Sequence, residues 1–105
     1  MKKYSDIKKK YWNKASDPNQ LFLLKPDDAI RFIDDCVREG FILLGVDGFR
    51  VWESGAVQPH LEHSNDIEDT NLSQGMFVSE TINFIRSRKH LDIWFEVVFD
   101  SQNED

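Results

Sequence analysis

The chain has 105 residues, 40% of them apolar and 12% aromatic, with a net charge of −6. That supports one domain with a modest core and argues for a packed globule rather than a disordered chain. No apolar run approaches the roughly 18–20 residues of a membrane span, and the lysine-rich start has no apolar stretch of a secretory signal, so a cytoplasmic location is expected.

The charge is uneven. Residues 1–25 hold seven lysines against Asp6 and Asp17, a net of +5, whereas residues 26–105 hold six Lys or Arg against seventeen Asp or Glu, a net of −11. Such a body repels nucleic acid and attracts a basic partner. A solvated acidic surface is the plainer reading of the same count.

Residues 3–15 read as a short basic helix whose apolar stripe is Tyr4, Ile7 and Tyr11. Asp17-Pro18 breaks it, and the apolar residues 21–24 suit an edge strand. A second helix starts at Pro26, with Asp27 and Asp28 at its positive end and Gly40 as a left-handed cap. Its apolar face is Ala29, Ile30, Ile33, Cys36 and Val37, so the single cysteine reads as a small core residue and no internal disulfide is possible.

Residues 41–46 are apolar on both faces except for Gly45, the pattern of a central strand. Asp47-Gly48 reads as a tight hairpin turn, followed by a strand over 49–53 with Phe49 and Val51 inward and Arg50 and Trp52 outward. Gly55 marks another turn, and residues 56–63 form a third strand that Pro59 demotes to an edge or a bulge. An acidic loop follows. A helix over 73–89 turns Val78, Ile82 and Ile85 inward, flanked by Phe77 and Phe84. In the last strand, 91–99, Ile93, Phe95, Val97 and Phe99 face the core and Asp92, Trp94 and Glu96 face away; the tail from 100 is expected to fray. The expected fold is α+β: an antiparallel sheet of about four strands, two main helices on one face and an extra N-terminal helix, in a single domain spanning 1–105 with a basic extension over 1–23.

Signals for catalysis are sparse. There is no glycine-flanked serine elbow, and Gly45-x-x-Gly48 lacks the third glycine of a phosphate loop. His60, Glu62 and His63 are the one metal-like cluster, but on a regular strand His63 points away from the other two, so no metal, no cofactor and no enzyme activity are expected. The outward sheet face, with Arg50, Trp52, Gln58, His60, Glu62, Trp94 and Glu96, has the composition of a protein-binding surface unless the basic helix folds over it.

Leu24, Pro26, Ala29 and Ile30, then Gly40 and the run Leu44, Gly45, Val46, Asp47 and Gly48, form a Leu-x-Pro-x-x-Ala-Ile helix start followed by Leu-Gly-Val-Asp-Gly. This pattern resembles the immunity protein of the tRNA-anticodon-cleaving E-group colicin. It is also similar to immunity proteins of contact-dependent-inhibition and other polymorphic-toxin systems. The resemblance covers about three quarters of the chain; the first 23 residues and the segment 56–70 depart from it. It implies a protein that occludes the active site of a basic toxin domain, an RNase or tRNase, in a one-to-one complex, without touching nucleic acid or membrane. The expected contacts are Trp52, Glu53, His60, Glu62, Asp66, Glu68 and Asp69. The alternatives are a small metal-dependent hydrolase using His60, Glu62 and His63, or a generic protein-interaction module.

Overall fold

In the computed structural model, which describes residues 2–17 and 21–100, the first elements are α1 (Tyr4–Lys10), a 3-10 turn (Trp12–Lys14), β1 (Leu23–Leu24) and α2 (Pro26–Arg38). There follow β2 (Ile42–Val51), β3 (Val57–Asp66), a 3-10 turn (Ile67–Asp69), α3 (Gln74–Ser87) and β4 (Trp94–Asp100). The four strands make one antiparallel sheet in the order β1-β4-β2-β3, so β3, which contains Pro59, is an edge strand. The fold is the expected α+β arrangement. Pro18 of the expected turn and residues 101–105 of the tail lie outside the described residues. Among the described residues no helix is long and apolar enough to cross a membrane.

The core lies between the sheet and α2 and α3. Phe32, Ile33 and Cys36 of α2 and Phe77 and Ile85 of α3 meet Leu43, Val46, Phe95, Val97 and Phe99 of the sheet. Burial pushes the Cys36 thiol up to about 12, which keeps it protonated and inert. The inward face of α3 is Phe77, Thr81 and Ile85 rather than Val78 and Ile82, which flank it half-buried. Thr81 tolerates full burial because its hydroxyl accepts a hydrogen bond from Asn65 Nδ2 at 3.2 Å.

The N-terminal segment is part of this core. Ile7 and Tyr11 are buried, and the rings of Tyr4, Tyr11 and Phe22 each lie 5.4–5.8 Å from that of Phe32. α1 is shorter than the expected 3–15 and packs on α2 rather than across the outer sheet face. Tyr11 Oη donates to Asp35 at 2.5 Å, and Lys10 reaches the same carboxylate at 3.0 Å. Burial opposes ionisation of Asp35, but these two hydrogen bonds, with the charges of Lys10 and Arg38, outweigh it and hold the carboxyl below its ordinary value.

Asp47-Gly48 is not a turn. Both residues lie inside β2, one continuous strand of ten residues, and among the described residues only Gly40 and Gly55 have positive φ. The hairpin turns instead at 52–56: Gly55 N–H donates to the Trp52 carbonyl at 2.9 Å and Trp52 N–H to the Ala56 carbonyl at 2.9 Å. Gly55, at φ +91°, supplies the left-handed residue that such a three-residue connection needs. A bulge between Leu43 and Gly45 against β4 places Leu43 and Val46 on the same side, towards the helices. From there the alternation sends Gly48 inward, opposite Phe95, and Phe49 outward, opposite Trp94. The expected inward placement of Phe49 and Val51 is therefore reversed. β3 runs on to Asp66, past the expected end at 63, and β4 begins at Trp94.

Candidate functional site

The sheet face turned away from α2 and α3 carries Asp47, Phe49 and Val51 from β2, Trp94, Glu96 and Val98 from β4, and Val57 and Pro59 from the edge strand. None of these belongs to the core cluster, and the β2 and β4 side chains are half-buried. At the centre of this face Asp47 stands directly opposite Glu96. Aspartate is disfavoured in a strand interior, and like charges in direct opposition are destabilising by roughly 0.2–1 kcal/mol. Burial raises the Glu96 carboxyl above its ordinary value and the Asp47 charge raises it further, with Lys8 opposing. Phe49 and Trp94 border the pair, and the Lys25 ammonium lies 5.3 Å from the centre of the Trp94 ring.

Beside Asp47 opens a small cleft of about 180 Å³, whose lining includes Leu44, Gly45, Asn65, Asp66 and Val98. Its floor is Gly45, which explains that residue. A Cβ there would meet the Asn65 carbonyl oxygen at 2.6 Å, so only glycine lets β3 come this close. Gly48 has the same role further along the strand, where a Cβ would meet His63 Cβ at 2.5 Å and its carbonyl oxygen at 2.8 Å. The two glycines flanking Asp47 thus seat the irregular edge strand rather than relax a turn.

That irregularity overturns a second expectation. Gly48 pairs with His60 and Val46 with Asn65, so the four residues 61–64 stand opposite Asp47 alone, three more than a regular pairing needs, and form a bulge in β3. Leu61 stands out at 82% exposure, while His63 turns back to the side of His60, with the two rings stacked at 6.2 Å and 18°. His60 Nδ1 lies 2.9 Å from Glu62 Oε1, and His63 Nε2 lies 3.9 Å from the same oxygen. The hydrogen bond from His60 holds the Glu62 carboxyl below its ordinary value. Arg88 Nε donates to His63 Nδ1 at 2.9 Å while its guanidinium lies 3.7 Å from the centre of the Phe84 ring.

The seven expected contact residues do not form one patch. Trp52 and Glu53 are exposed in the hairpin turn, with the Arg50 guanidinium 4.4 Å from the Trp52 ring. Trp52, at 45% exposure, is not covered by α1. His60 and Glu62 belong to the bulge on the helix side; Arg50 and Gln58, which pair there, share that side rather than the outer face. Asp66, Glu68 and Asp69 lie at the far end of β3, where Asp66 caps the 3-10 turn by accepting from Glu68 N–H at 2.9 Å. Of the seven, Asp66 alone lines the cleft beside Asp47. Trp94 and Glu96 are on the outer face as expected, but Asp47 and Phe49 are residues that sequence reasoning assigned elsewhere. The signal that pointed to them was an aspartate inside an otherwise apolar run of strand length.

Comparison with protein-family models, with curated proteins and with solved structures finds no match to this chain.

Proposed function

We propose that the protein is an immunity protein that binds a basic toxin domain, an RNase or tRNase, one-to-one and blocks its active site. The observation that carries this reading is the Asp47–Glu96 pair, held face to face on the sheet face turned away from α2 and α3 and bordered by Phe49 and Trp94. The arrangement works against the free fold and favours a complex: a cationic side chain placed between the two carboxylates relieves their repulsion and forms charge-assisted hydrogen bonds. The aromatic borders supply the desolvated contact area that interface centres use. The resemblance of residues 24–30 and 39–48 to toxin immunity proteins supports the same reading, because Asp47 falls in the shared pattern. So does the acidic body, since a nuclease active site is basic in order to hold phosphate. In this reading the protein acts by binding, without turnover.

The test is a calorimetric titration against the product of each neighbouring reading frame that encodes a basic domain, paired with a tRNA-cleavage assay. One-to-one binding with cleavage abolished supports the proposal. Absence of binding removes it and leaves an interaction module of another kind.

A further inference from the structure

We propose that His60, Glu62 and His63 form a binding site for a divalent first-row transition ion of the zinc type, and that Arg88 acts as its competitor. This site is independent of the outer sheet face, because the three residues project from the bulge of β3 on the side of α3.

Geometry carries the argument. Along a regular strand His63 would oppose His60, and the extra residues of the bulge remove that obstacle. One donor atom from each of the three side chains lies within 4.8 Å of the others. Ligands of a tetrahedral zinc ion, bound at about 2.0–2.1 Å, stand roughly 3.3 Å apart. The separations of 2.9 and 3.9 Å to Glu62 bracket that value, so the donors stand within side-chain adjustment of a ligand set.

The donor set also selects the ion. Two imidazoles and one carboxylate suit zinc, nickel or copper, whereas magnesium and calcium need a cage of oxygens that is not built here. The Glu62 side chain is 66% exposed, which leaves a fourth position open to water. His60 is held without its hydrogen-bonding capacity being met: Nδ1 faces Glu62, while Nε2 is buried with no partner among the described residues.

Arg88 sets the strength of the site. Its Nε–H points at His63 Nδ1, which must therefore be an acceptor, leaving the proton on Nε2. A metal-ligating histidine normally has the opposite arrangement, donating its outer N–H to a carboxylate or carbonyl. Metal binding at Nε2 requires the proton to move to Nδ1, where it faces the Arg88 Nε–H and breaks that contact, and the guanidinium charge further opposes the cation.

The experiment is titration of zinc into the full chain by calorimetry and by competition with a chromophoric chelator, with cobalt absorption as a check on tetrahedral geometry. The wild-type chain should bind one ion. His60→Ala and His63→Ala should each weaken binding by roughly 10-fold or more. Arg88→Met should strengthen it by roughly 10-fold through loss of the repelling charge. His90→Ala, which changes the remaining histidine, should leave it unaltered. Circular dichroism of each variant separates lost binding from lost folding. Failure of the wild-type chain to bind zinc, or binding that survives removal of His60 or His63 in a folded variant, overturns the proposal.

Discussion

Asp47 sits inside a strand, between two glycines that exist for the neighbouring strand, and faces a glutamate whose ionisation burial and Asp47 both disfavour. In the Gly-Val-Asp-Gly run the two glycines thus share one cause and the aspartate has another. Gly48→Ala should destabilise the fold by roughly 1–3 kcal/mol in urea denaturation, because the added methyl meets the backbone of the bulge. Gly75→Ala is the control: nothing lies within 4 Å of its Cβ position in α3, and it should stabilise by about 0.5–1 kcal/mol. Equal effects at the two sites would remove the close-packing account. Glu96 gives a prediction of opposite sign. Its carboxyl is raised in the fold, so its contribution to stability is present in acid and lost as pH rises through the folded value. Glu96→Gln should therefore make the free protein at neutral pH no less stable than wild type and flatten this part of the pH profile. A marked loss of stability at neutral pH would mean that the Asp47–Glu96 pair supports the fold.

Among the elements, α2 is legible in the sequence because Pro26, the two aspartates after it and Gly40 mark both ends of a clear helical stripe. β4 is legible because its alternation is strict. β2 and β3 are not, because bulges break the period of two that strand reading depends on, and Asp-Gly is a turn pair only where the chain is free to turn. The same bulges scattered the expected contact residues, since a one-residue shift moves a side chain to the other face. Another feature without a sequence signature is Gln74. Its side chain accepts from Leu43 N–H at 2.7 Å and donates to the Leu43 carbonyl at 3.1 Å, taking the place of a strand partner beyond the last β3 pair. Gln74→Ala should cost about 1–3 kcal/mol by leaving both groups unpartnered; a loss within error of zero would show that water replaces the amide. The α1–α2 contact is tested by pH. Asp35, held low, contributes stability above its ordinary value that disappears as pH falls through the folded value. Tyr11→Phe removes one of the two hydrogen bonds responsible, so acid unfolding should begin from a lower stability and fall less steeply. An unchanged acid limb would assign the depression to Lys10 and Arg38 instead.

At the scale of the whole molecule, the division of charge at residue 25 has a structural counterpart. Two of the three lysines of α1 act on the acidic body: Lys10 meets Asp35, and Lys8 offsets the charge of Glu96, while Lys9 pairs with Asp6 of its own helix. The basic start thus serves the fold, and the remaining negative potential is free to steer a basic partner. Steering and docking are separable. In the proposed complex Glu68 and Asp69, exposed at the far end of β3, should influence association rate and its salt dependence, while the Asp47–Glu96 face should determine its lifetime. The most direct measurement is a calorimetric titration of the basic toxin domain with wild type, Glu68→Lys/Asp69→Lys and Asp47→Asn/Glu96→Gln, each first shown to be folded by urea denaturation. The account predicts that the Asp47→Asn/Glu96→Gln chain is at least as stable as wild type yet binds at least roughly 30-fold more weakly, the loss of about 2 kcal/mol or more expected when a desolvated charge loses its partner. Full affinity in that variant, with the loss confined to Glu68→Lys/Asp69→Lys, would contradict it and move the binding site to the end of β3.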